Sequence, residues 1–252
     1  MSQAGKIMEI CLLAGEIMLK YGAETYRVEE TMERMAGAKE MKDVHSYVTP
    51  TGIFFSFKSA DKVGERSRII RIDDRLVDLN KVTLVNDLSR RFVNGQLSLD
   101  EAEKALKKID RGKMLYSVPL QHAAAGLAGG SFAILFGGDY IDFIPAFIAG
   151  ALVNICLYFL QLKLQVKFIA ELFSACIGGM SCILLFNLGL GNHLDQIIIG
   201  SLMPLVPGLP LTNAVRDIMA GDLVSGVGRG AEALLTALSI ATGIAIAISL
   251  FL

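Results

Sequence analysis

The sequence predicts an integral membrane α-helical bundle of five spans, the fourth broken by Pro and Gly, preceded by a small α+β cytoplasmic domain. Three observations predict it. Charge is distributed unevenly: 38 of the 49 charged residues fall in residues 1–113 and 11 in the rest. The second part carries four apolar stretches of about 20 residues, the length a helix needs to cross a hydrocarbon core. A fifth, shorter apolar stretch runs directly into PLVPGLPLTNAVRD (Pro204–Asp217), where three prolines, an Asn, an Arg and an Asp interrupt the oily pattern. The mean hydropathy of +0.51 with 53% hydrophobic residues is high for a water-soluble chain. The net charge of −1 offers no electrostatic case for a nucleic-acid partner, and none is expected.

The expected domains are 1–113 and 114–252. In the first, Ile7, Cys11, Ala14, Met18 and Tyr21 recur at three- and four-residue steps with Glu9, Glu16 and Lys20 between them. That is an amphipathic helix over about Gln3–Lys20 and not a signal peptide, which needs an uncharged core. A second helix begins near Ala23 and places Val28, Met32 and Met35 on one face. Short β-like runs follow at 45–49, 53–57 and 68–72, with Pro50–Gly52 as a hairpin turn and Asp73-Asp74 as another. Two more helices are expected, over about Asn80–Phe92 and from a capping box at Ser98 and Glu101 to near Ile109.

The expected spans are about Leu115–Phe136, Ile141–Leu160, Phe168–Leu188, the short Gln196–Val206, and Ala231–Leu252. Glycines crowd them, and Gly126/Gly130 and Gly226/Gly230 have the GxxxG spacing that lets helices approach closely. Lys163 and Lys167 lie between spans two and three, and Arg216 and Arg229 between spans four and five. The loops Gly137–Asp142 and Gly189–Gln196 have no Lys or Arg. This alternation puts the N-terminal domain in the cytoplasm and the C-terminus outside. The cysteines Cys11, Cys156, Cys176 and Cys182 form no CxxC and read as small packing residues. No metal and no cofactor are expected.

Two accounts of the interruption stay open. Irregular backbone at membrane depth is tolerated only where it is buried in protein or lines a wet cavity, and a Gly/Pro-broken span points to a transporter's binding site. On that account Pro207, Gly208 and Pro210 break the helix. Thr212 and Asn213 offer neutral hydrogen bonds, Arg216 a bidentate carboxylate contact, and Asp217 an ammonium contact or a proton site. On the other account, 207–229 is a cytoplasmic loop with an amphipathic surface helix. The last span has a polar stripe, Arg229, Glu232, Thr236, Ser239 and Gly243, which either faces an aqueous path or is an interfacial ion pair followed by helix-packing hydroxyls. Asn154 lies nearest a span centre, as an interhelical bond or a ligand contact. Glu171, near the cytoplasmic end of its span, reads as interfacial rather than as a proton relay. No P-loop, HExxH or GxSxG is present, so an enzyme is not expected.

Two segments carry a resemblance. GAETYRVEETMERMA (22–36) resembles the N-terminal signature of the threonine/serine exporter family, and PGLPLTNAVRDIMAGDLVSGVGRGAEALLTA (207–237) its C-terminal signature. The likeness runs over essentially the whole chain. It implies efflux of a small polar metabolite across the bacterial inner membrane. It also implies that this chain is the larger half of a split exporter, whose partner is a small companion membrane protein with another five spans, in a homo- or hetero-oligomer. Similar two-component systems are linked with succinate, so a hydroxy amino acid and a dicarboxylate both stay open as substrate. Carried onto this sequence, the motifs mark Glu24, Arg27 and Glu29, then Pro207, Gly208, Pro210, Asn213, Arg216, Asp217, Gly226 and Arg229. Without a nucleotide site, uphill export would draw on the proton gradient. Glu24, Arg27 and Glu29 form either a gating contact beneath the spans or a solvated helix face. The competing class is a membrane-anchored regulatory or scaffold protein without transport activity.

Overall fold

A computed structural model describes residues 2–59, 65–73, 75–164 and 166–251. Its chain divides into two compact units, Met1–Leu115 with Leu209–Gly230, and Tyr116–Gly208 with Ala231–Leu252.

The first unit opens with α1 (Gln3–Lys20), whose Ser2 side chain caps it by accepting from Gly5 N. Ile7, Ile10, Cys11, Ala14, Ile17 and Met18 are fully buried along it, so α1 is the central core helix rather than a surface one. Next, α2 (Thr25–Gly37) buries Val28, Met32 and Met35. The sheet is antiparallel in the order β1 (Lys42–Thr49), β2 (Gly52–Lys58), β3 (Glu65–Arg71). Thr49 pairs with Gly52, so Pro50 and Thr51 form the hairpin loop. Strand alternation sends Ile53, Phe55 and Phe57 of the central strand into the core and leaves Phe54 exposed. Burying each of those side chains is worth about 1.5–3 kcal/mol. Two helices complete the core: α3 (Leu79–Val93), capped by Asp78, and α4 (Leu99–Arg111), with the reciprocal Ser98–Glu101 capping box in place. Asp74 of the expected second turn and Leu252 lie outside the described residues.

The second unit holds α5 (Val118–Leu135), α6 (Phe143–Leu164), α7 (Lys167–Asn187) and α8 (Leu194–Leu202). Its core is built from small side chains, Ala133, Ala146, Ala149, Val153, Ala175 and Cys182, with Ile197 and Leu202. Gly200 shows why. A Cβ there would stand 2.6 Å from Ala133 N and Gly129 O on α5, so only hydrogen fits the crossing. Large apolar residues point outward instead: Leu127, Leu135, Ile144, Phe159, Leu184, Leu234 and Leu238 are all exposed. An apolar surface on this scale is what a bilayer covers.

Four helices are long and apolar enough to cross a membrane, and a fifth if Leu194–Leu205 and Gly208–Ala220 count together as one broken span. The chain does break where the prolines fall. A 3₁₀ turn at Met203–Leu205 ends the first half and α9 (Gly208–Ala220) begins the second, with Pro210 in its first turn, where no N–H is needed. Gly221, at φ +94°, ends α9. The last helix, α10 (Leu223–Phe251), starts well before the expected Ala231 because nothing after Gly221 forbids helix. Its first turns belong to the first unit and the remainder to the second.

Candidate functional site

The two signature segments meet inside the first unit. Glu24 is the N-cap residue of α2, buried, and Thr25 behind it is fully buried. On α9, Asn213, Arg216 and Asp217 are spaced three and four residues apart, so one face of the helix presents all three. Arg216 Nη1 donates to Glu24 Oε1 at 2.5 Å, and Arg27 Nη1 donates to the other oxygen, Oε2, at 3.2 Å. Asn213 Nδ2 donates to Gly22 O at 3.2 Å. Asp217 has no exposed surface. Its Oδ1 accepts from Thr25 Oγ1 at 2.8 Å and its Oδ2 lies 2.9 Å from Arg229 Nε. Arg229 in turn donates from Nη2 to Ala23 O at 3.1 Å, and Ser225 Oγ donates to Val48 O at 3.2 Å. Gly226 allows this approach, since a Cβ there would stand 2.9 Å from Ala214 O of α9.

Electrostatics separates the cluster into two kinds of pair. Asp217–Arg229 is buried on both sides, whereas the Arg216 side chain is 56% exposed and remains open to a competing carboxylate. Burial works against the charged form of Glu24. Hydrogen bonds from backbone N–H and from Arg216, with the charge of Arg27, outweigh it and hold the carboxyl below its ordinary range. Glu29 goes the other way. Burial pushes it up to about 7 against the bond it accepts from Val48 N, and Asp222, Glu33 and Asp217 add to the rise. The guanidiniums of Arg27 and Arg216 face the carboxylate of Glu24 and that of Arg229 faces Asp217, while Asp222 Oδ2 accepts from Thr25 Oγ1 at 3.3 Å.

From residue 9 to residue 251 the chain matches the sequence family of the threonine/serine exporters. The chain belongs to the threonine/serine exporter family. It is 26% identical to the "Probable succinate transporter subunit YjjP" of Escherichia coli K12, over 99% of this chain and 96% of that protein. It is 22% identical to the "Probable threonine/serine exporter" of Mycobacterium tuberculosis, over 96% of this chain and 46% of that one. It is 23% identical to the "Threonine/serine exporter" of Corynebacterium glutamicum, over 99% and 52%. The chain thus spans about half the length of those last two relatives. No solved structure matches it.

The family's signature residues therefore divide. Glu24, Arg27, Glu29, Asn213, Arg216, Asp217 and Arg229 gather in one network. Pro207 and Gly208 belong to the other unit, while Pro210 and Thr212 occupy the first turns of α9. Glu232 binds Lys167 Nζ at 2.8 Å within the second unit, and Asn154 Oδ1 meets His122 Nδ1 at 2.6 Å, with Tyr158 edge-on to the imidazole. Along the polar stripe, Ser239 bonds back to Leu235 O on its own helix and Gly243 packs on Leu172 O and Ala175.

Residue-level reasoning offered Asp222, beside Asp217, as a carboxylate for a zwitterion, and missed Thr25 and Ser225, which carry no charge. The only signal for them is their place inside the two signature segments. It also missed Asp142, buried where the α5–α6 and α7–α8 loops meet. Asp142 accepts from Asn192 N at 2.6 Å, Asp139 N at 2.7 Å, His193 N at 3.1 Å and His193 Nδ1 at 2.9 Å. Asp139, Asp142 and His193 are close enough to share a cation, but Asp142 spends its lone pairs on the loop backbone and acts as a loop clasp.

Proposed function

We propose that this chain is the larger subunit of a secondary exporter in the bacterial inner membrane, moving a small polar metabolite such as threonine, serine or succinate. The observation that carries this reading is the end-to-end match to a relative named as a transporter subunit, covering 96% of that relative. A companion membrane protein, of five spans on our reading, completes the pathway. The domain of residues 1–113 lies in the cytoplasm and the spans of 114–252 follow, with the C-terminus outside.

The network supports a latch. Glu24, oriented by Arg27, holds α9 through Arg216, the most exposed member, and Glu29 lies beside them on α2 as a gating contact. When a substrate carboxylate arrives, Arg216 exchanges for it the single oxygen it takes from Glu24, whose other oxygen is on Arg27, and gains a bidentate contact. Pro207, Gly208 and Pro210 supply the break about which α9 moves. Thr212, Asn213, Asp217, Arg229, Glu232 and Asn154 contribute polar groups along the path. Export against a gradient is driven by protons.

Arg216→Gln and Arg216→Lys test this. Uptake of labelled serine, threonine and succinate into inverted vesicles should collapse in both variants while the protein remains inserted, because a lysine ammonium cannot reproduce the forked contact. Wild-type uptake with Arg216→Gln sinks the latch.

A further inference from the structure

We propose that Glu171 is the proton-binding site of this chain, an inference that rests on the secondary-exporter reading. Glu171 lies one turn into α7, near the end of its span as expected, and is packed inside the unit at 4% exposed. Two observations point to a ligand. The first is an orphaned acceptor. Glu171 Oε2 is buried and has no hydrogen-bond partner among the described residues. Lys167 Nζ stands 3.9 Å from Oε1, but its 2.8 Å bond goes to Glu232 Oε1 on α10. The second is the hydroxyl beside it. Thr236, one turn beyond Glu232 on α10, is 1% exposed, and its Oγ1 faces the Glu171 carboxyl, the polar group within its reach.

A buried carboxylate whose one nearby cation, Lys167 at 3.9 Å, is held more closely by Glu232 is costly to keep charged, and so is a buried oxygen left without a donor. One proton answers both. Carried on Oε2, it makes Glu171 neutral and turns that oxygen into a donor to Thr236 Oγ1. When the proton leaves, the Thr236 hydroxyl rotates to donate to Oε2, and Lys167 has a second carboxylate to move to. The groups facing Glu171 are Lys167 on its own helix and Glu232 and Thr236 on α10. The site therefore has two internally consistent states that differ by one proton and one lysine contact. A sodium ion fits less well, because it would sit beside the Lys167 ammonium.

Infrared difference spectroscopy on the full chain in liposomes, low against high pH, needs neither substrate nor companion. Among the protonated-carboxyl bands, that of Glu29 included, one component should be lost in Glu171→Gln, return at a shifted frequency in Glu171→Asp and shift in Thr236→Val. A wild-type minus Glu171→Gln double difference with no protonated-carboxyl component overturns the proposal. So does a band removed by sodium at constant pH, which would make this a sodium site. Liposomes holding both subunits then separate the proposal from the transport reading. Glu171→Gln should keep exchange of labelled serine, threonine or succinate across the membrane and lose accumulation driven by a pH gradient. Gradient-driven accumulation by Glu171→Gln at the wild-type level refutes the role of Glu171. If the wild type shows no exchange, it is the exporter reading that falls, and the coupling role with it.

Discussion

Replacing Asp217 with Asn should unlatch α9 while leaving the unit folded. The side chain keeps its volume and can keep its bond from Thr25, so the change is confined to the charge facing Arg229. Removing one partner of a buried pair typically costs about 3–5 kcal/mol. Arg229 retains its bond to Ala23 O, which places the expected cost at the low end, about 3 kcal/mol. At about 1.4 kcal/mol per tenfold, the open population should rise on the order of 100-fold. A cysteine in place of the buried Ala214 reports it, because that face of α9 is covered only while the helix is docked. Cys156, Cys176 and Cys182 would first be changed to Ala. Cys11 is the internal control: burial pushes its thiol up to about 12, so it labels only on global unfolding. Labelling at position 214 should accelerate in the Asp217→Asn chain while Cys11 stays inert. Adding Arg229→Met should recover much of the loss, since the uncompensated charge goes too. A rate within about threefold of the parent would refute the claim that this pair holds the helix.

Other consequences are simpler to state. Glu29 titrates at about 7 when folded against an ordinary 4.5, so the native state binds the extra proton between those values. Its contribution to stability should be full below about pH 4.5, fall through about pH 7 and level off above, and a pH series of thermal unfolding should lose that slope in Glu29→Gln. Gly200→Ala should destabilise the α5–α8 crossing by about 1–3 kcal/mol, read as a lower melting temperature in detergent, because the new Cβ meets backbone and not a movable side chain. Ser98→Ala should cost about 1 kcal/mol, seen as faster amide exchange in the first turn of α4.

The legible parts of the fold were those fixed by local patterning. Helical periodicity located α1 and α2, the Ser98–Glu101 spacing located the start of α4, and alternation around Pro50–Gly52 located the hairpin. The prolines located the break before α9. The start of α10 was misplaced because hydropathy marks where a helix becomes apolar, not where it begins; Arg229 and Asp222 hid its first turns. The candidate site was legible only as two lists of residues. Nothing in the spacing says that Glu24 pairs with Arg216, or Asp217 with Arg229, across about 190 and 12 positions respectively, because such pairing depends on tertiary packing. The burial of Glu171 was illegible for the same reason: it follows from Thr236 and Glu232 of α10 packing against α7.

The central claim is transport by this chain with a companion. Uptake of radiolabelled serine, threonine and succinate into inverted vesicles, with and without the companion subunit, tests it most directly. The account predicts uptake of at least one of the three only when both chains are present. Uptake of none, with both chains inserted and folded, would contradict it and favour a membrane-anchored regulatory protein.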